Sequence, residues 1–190
     1  MSDFNAIADA CGILVGTGTD GQFAHLGTAW SMGGGDWVAA WSGEDPPLNP
    51  RLLRAVDGAV DAITAWECED GVAGFSSAPG PAALALATGG ALHKRDPLRA
   101  LGYPSMVDHP AFRLHHGSLD PQRYVPYLCP WIIEGHLALF SSQDGWLVGR
   151  FYPGMAGGPV LDRAGQVVGL LIDGADSPEH PPLARFRLLV

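Results

Sequence analysis

Tyr152-Pro153-Gly154-Met155-Ala156-Gly157-Gly158-Pro159-Val160-Leu161-Asp162, followed by Gly165-Gln166-Val167-Val168-Gly169-Leu170, is the most specific stretch of this chain. Its closely spaced glycines let the backbone turn in ways closed to other residues. The apolar pieces on either side of Asp162-Arg163-Ala164-Gly165 read as two strands joined by a turn. The same grammar runs outward through the whole sequence. Its 190 residues include 26 Gly and 16 Pro, roughly a fifth of the chain, against about 12% in an average domain. With 47% hydrophobic and only 16% charged residues, the chain is neither disordered nor collagen-like. It is expected to be globular, built from many short strands and tight turns, with length for one domain or two small lobes.

Along the chain, Cys11 to Val15, Gly27 to Ser31 and Trp37 to Trp41 read as three strands within 41 residues. Between the first two, Gly16-Thr17-Gly18-Thr19-Asp20-Gly21 matches a dinucleotide-binding glycine pattern. No helix follows it, so a hairpin loop is expected instead. Asn49-Pro50 followed by Arg51 to Val56 has the cap, proline and apolar spacing of a short helix. Ala59 to Trp66, Val72 to Ser76 and Pro81 to Ala87 read as strands. Thr88 to Pro97 has the composition of a connection, which divides the chain into lobes at 1–90 and 91–190. In the second lobe the apolar pieces are Leu98–Tyr103, Ala111–His115, Trp131–Phe140, Trp146–Phe151, Pro159–Leu161, Val167–Ile172 and Phe186–Val190.

A net charge of −9 without a basic stripe disfavours nucleic acid. The N-terminus lacks a basic, apolar leader, and no apolar run reaches the roughly 18 residues of a membrane span, so a soluble, cytoplasmic protein is expected. Three widely spaced cysteines, Cys11, Cys68 and Cys129, read as free thiols. His115 and His116, with His109 and His136 nearby, invite a metal, but adjacent strand residues face opposite ways and no carboxylate has ligand spacing, so no metal or cofactor is expected. Glu67, Glu69 and Asp70 read as an acidic turn, and Trp30, Trp37, Trp41 and Trp66 as core.

The stretch at 152–170 resembles the nucleophile loop of trypsin-like (chymotrypsin-fold) serine proteases, G-x-S-G-G-P followed by a hairpin ending in V-G. The resemblance assigns the oxyanion-hole donors to the backbone of Gly154 and Ala156. Where the family has its serine, this chain has Ala156. Gly27-Thr28-Ala29-Trp30 is similar to the family's G-T/S-G/A-aromatic strand, and Trp37-Val38-Ala39-Ala40-Trp41 to the strand ending in A-A-H, which places Trp41 at the histidine. Gly71-Val72-Ala73-Gly74-Phe75 is the counterpart of the aspartate strand, with Gly71 at the aspartate and Asp70 beside it. Leu98 to Pro104 resembles the opening of the second barrel.

The resemblance implies an all-β, two-lobed trypsin-like double β-barrel with one or two short helices, the lobes together forming one peptidase domain. His25 precedes the Gly27 strand and is expected on the wrong side of the barrel to replace the missing base. With no triad position intact, the expectation is a catalytically inactive homologue, no enzyme, acting as a protein- or peptide-binding or regulatory module. Arg150, Trp41 and Asp70 are its candidate contacts. Arg150 falls at the family's specificity pocket, where it would attract an acidic side chain, or is simply a surface arginine. The alternatives are a serine endopeptidase whose nucleophile has been replaced by Ala156, and a structural subunit of a larger assembly.

Overall fold

The structure is a computed structural model that describes residues 4–17, 23–89, 92–105, 129–177 and 180–189. A short helix, α1 (Phe4–Asp9), buries Ile7 and leads into β1 (Cys11–Thr17), an apolar run buried on both faces. β2 (Phe23–Gly33) pairs back antiparallel on β1 out to Thr17↔Phe23, so the two strands form the expected hairpin. β3 (Asp36–Ala40), β4 (Arg51–Arg54), β5 (Val60–Ala62), β6 (Ala65–Glu69) and β7 (Val72–Ser76) complete a sheet in the order β5-β4-β1-β2-β3-β7-β6. Its two end strands are consecutive in the chain, separated only by Ile63 and Thr64, so the sheet curls back on itself. β8 (Pro97–Gly102), β9 (Trp131–Phe140), β10 (Asp144–Val148), β11 (Pro159–Leu161), β12 (Val167–Ser177) and β13 (His180–Leu188) form a closed barrel in the order β10-β13-β12-β11-β8-β9. The architecture is the expected two-lobed double β-barrel, nearly without helix.

Each barrel has its own core. Leu14, Ala29, Trp37, Ala39, Leu52 and Phe75 fill the first, and Leu98, Ile133, Leu137, Leu147, Met155 and Phe186 are among those filling the second. A third cluster joins the lobes, setting Cys11, Ile13, Trp30 and Leu53 against Leu101, Tyr103, Leu161 and Leu170. That interlobe core explains why β1 is apolar throughout: Leu14 serves its barrel while its neighbours serve the interface.

The expected helix after Asn49 is instead β4. Asn49 has φ +49°, outside the extended conformation an N-cap needs. The adjacent Leu52 and Leu53 are buried on opposite faces, in the barrel and between the lobes, an arrangement that imitates helical spacing. Residues 81–87 are not a strand either. They cross to the second lobe, where Leu86 makes a single parallel bridge to Val167. The expected Ala59–Trp66 strand is broken into β5 and β6. β12 and β13 run past the expected pieces as a polar, exposed hairpin arm. The Ala111–His115 piece, with His109 and His116, lies outside the described residues.

Candidate active site

The loop after β10 carries the resemblance, and its shape is dictated peptide by peptide. Gly154 and Gly157 have φ of +91° and +89°, the left-handed region that disfavours any side chain. At Gly157 a Cβ would also collide with the Thr28 carbonyl and lie 2.8 Å from the Ala40 amide nitrogen. The loop is thus wedged between β2 and β3 of the other lobe.

Hydrogen bonds hold every peptide plane. The Pro153 carbonyl accepts from the Ser105 N–H (2.5 Å), and the Gly154 carbonyl from the Thr28 hydroxyl (3.0 Å). The Met155 carbonyl accepts from the Gly158 N–H (3.0 Å), and the Ala156 carbonyl from the Thr28 N–H (2.7 Å). The Met155 N–H goes to the Tyr152 carbonyl (3.1 Å) and the Gly157 N–H to the Leu171 carbonyl (2.7 Å). Among the described residues, the N–H groups of Gly154 and Ala156 have no hydrogen-bond partner.

Trp41 follows Ala40 directly, so it stands next to the wedge. Its N–H donates to the Gly71 carbonyl (3.1 Å), and its carbonyl accepts from the Cys68 thiol (3.5 Å). Positions 41 and 71 are therefore hydrogen-bonded neighbours, and Gly157 touches Ala40 beside them. The indole is half-buried, stands edge-on to Trp66 at 5.9 Å, and donates Nε1–H to the Asp45 carbonyl (2.8 Å). Trp66 in turn stacks on Phe75 at 5.6 Å. Trp30 and Trp37 are fully buried, as their core reading requires. Asp70 (φ +50°) and Gly71 (φ +83°) form the two-residue turn of the β6–β7 hairpin. The Asp70 carbonyl accepts from Arg187 Nη1 (2.9 Å), and Arg187 also pairs with Asp144 (2.9 Å). Arg150 stays on the surface, its Nε 3.3 Å from the Asp176 carboxylate, with both side chains exposed.

His25 is the residue that sequence reasoning misplaced. Its Nε2 lies 3.3 Å from the Gly154 carbonyl, so it sits against the loop and not across the barrel from it. Gly27, on the other side of a register shift in β2, meets the loop as well: a Cβ there would sit 2.7 Å from the Ala156 carbonyl. Nδ1 is covered and has no partner among the described residues. Burial lowers the imidazole pKa from 6.5 to about 4, opposed by the weaker help of the nearby Gly154 and Gly27 backbone, so the ring is neutral at pH 7. The Cys11 thiol and Tyr103 hydroxyl, buried in the interlobe core, are both pushed up by desolvation and also stay neutral. No helix of the described residues is long and apolar enough to cross a membrane.

The fold is that of the trypsin-like serine proteases. The chain is similar to Rv3671c protease from M. tuberculosis, solved in an active form (TM-score 0.72, 13% identity, 97% of this chain and 78% of that one) and as an inactive serine-to-alanine mutant (0.68, 14%, 97% and 83%). It is also similar to a Glu endopeptidase (0.70, 10%, 99% and 88%) and to the HtrA-type protease AlgW solved with a decapeptide (0.71, 13%, 97% and 62%). No protein-family model and no curated protein matches the sequence. These likenesses overturn the expectation of a chain that is no enzyme. It shares its fold over nearly its whole length with proteases, one of them solved in an active form.

Proposed function

We propose that this chain is a serine endopeptidase domain whose nucleophile position, residue 156, carries alanine, and that its substrate class is an extended polypeptide. The observation that carries this reading is the pair of N–H groups at Gly154 and Ala156 that have no partner among the described residues, in a segment where those of Met155, Gly157 and Gly158 are engaged. Such donors are held ready for a developing oxyanion and need no reorganisation when it forms. Beside them, the Leu171 N–H and carbonyl are tied to Gly158 and Gly157. Beyond Leu171, β12 pairs only with β13 among the described strands, and Asp173 to Asp176 are exposed. A peptide added along that free edge would carry one carbonyl toward the loop. The decapeptide on AlgW is in keeping with such a ligand.

A methyl group cannot attack a carbonyl, so the reading is tested by putting a hydroxyl at 156. An oxyanion hole and binding alone retain about 10³–10⁴-fold catalysis over water when a triad member is missing. With Trp41 at the base position, Ala156→Ser is therefore expected to cleave an unfolded protein substrate slowly and to be labelled by a serine-directed fluorophosphonate. Adding Trp41→His should raise the rate about 10²-fold or more. A folded double variant that is neither labelled nor active would refute the proposal.

A further inference from the structure

Thr28 is fully buried on β2 and, with Ser31, is one of two buried polar side chains among the described residues. Its hydroxyl is used twice, accepting from the Tyr103 N–H (2.8 Å) and donating to the Gly154 carbonyl (3.0 Å). One oxygen of the first lobe thus joins two separate segments of the second. The carbonyls of Pro153, Met155 and Ala156 are held by backbone N–H donors. Only that of Gly154 is held by side chains, Thr28 at 3.0 Å and His25 at 3.3 Å. Gly154, at φ +91°, is also a residue without a side chain to hinder rotation of its peptides. The Gly154 carbonyl therefore depends on two side-chain hydrogen bonds, of which the one from Thr28 is the shorter.

We infer that Thr28 is a positioning residue: its hydroxyl fixes the Gly154–Met155 peptide and so keeps the Gly154 and Ala156 N–H groups presented together. This rests on the endopeptidase reading for its catalytic consequence, but not for its structural one. Thr28→Val keeps the shape and removes both hydrogen bonds, and Thr28→Ser keeps both.

Hydrogen exchange, followed by mass spectrometry on the chain carrying Ala156, tests the structural part. Peptides covering 101–105 and 152–158 are expected to exchange at least about 10-fold faster in Thr28→Val, as loss of a buried hydrogen bond implies, with β10 and β13 unchanged and Thr28→Ser restoring the wild-type rate. Equal exchange in wild type and Thr28→Val, or faster exchange spread evenly over all strands, overturns the inference. In the Ala156→Ser/Trp41→His background, Thr28→Val should lower kcat about 10–100-fold with KM within about twofold, somewhat less than loss of a whole oxyanion donor, and Thr28→Ser should recover it. An active parent whose kcat is untouched by Thr28→Val overturns the catalytic role. An inert parent refutes the endopeptidase reading, and the exchange experiment still decides whether Thr28 holds the loop.

Discussion

Acidification should destabilise this protein through His25, and the size of the effect follows from its surroundings. The imidazole is driven by burial from the ordinary 6.5 down to about 4, while in the unfolded chain it titrates normally. Between those values the unfolded state binds the proton and the folded state does not, so stability is full above pH 6.5 and falls as pH drops toward 4. The complete difference is about 3 kcal/mol, of which about 2 is lost between pH 7 and 5 and most of the rest by pH 4. For a chain of this size 2 kcal/mol corresponds to a Tm lower by about 4–8 °C. Urea unfolding at several pH values, on wild type and on His25→Gln, isolates the effect, because carboxylate titrations are common to both proteins and cancel in their difference. The wild-type minus variant stability should fall by about 2 kcal/mol from pH 7 to 5. A flat difference, or wild type gaining on the variant in acid, would refute the burial argument for His25.

Gly157→Ala joins a left-handed φ, costing about 1–2 kcal/mol, to collisions with the Thr28 carbonyl and Ala40 amide, typically a further 1–3 kcal/mol or so. Chemical denaturation should show a loss of about 3–4 kcal/mol, and a loss under about 1 kcal/mol would mean the loop is not wedged between the lobes. Asp144 accepts from both Arg185 (3.5 Å) and Arg187 (2.9 Å), and Arg187 continues to the Asp70 carbonyl. Asp144→Asn is expected to cost about 1 kcal/mol in low salt and less in 1 M salt, with faster hydrogen exchange at the β6–β7 turn. A cost independent of salt would show that charge is not what this carboxylate contributes.

What could be read from the sequence divides along local and non-local causes. The Trp37–Trp41 strand, the Asp70–Gly71 turn and the glycine loop are legible because their signals sit in neighbouring residues. Misreadings arose where the deciding partner is far along the chain. Leu52 and Leu53 look helical until two cores are known to lie on the two faces of one strand. Asp173 to Asp176 have no apolar pattern because they lie exposed and have little to bury. His25 meets a carbonyl 129 residues away, a contact that composition around either residue does not announce.

The same distinction explains why losing a serine left the loop recognisable. None of the hydrogen bonds that set its peptide planes uses the side chain at 156. They run through Ser105, Thr28, Tyr152, Gly158 and Leu171, and the glycines are required by φ and by the closeness of β2 and β3. The geometry that presents two N–H groups and the chemistry that attacks a carbonyl are therefore carried by different atoms, so one can be altered without the other. It follows that Ala156→Ser adds an oxygen to a site already shaped to receive it. Any reactivity that appears reports the hydroxyl and the base available to it, and not the repair of a distorted loop.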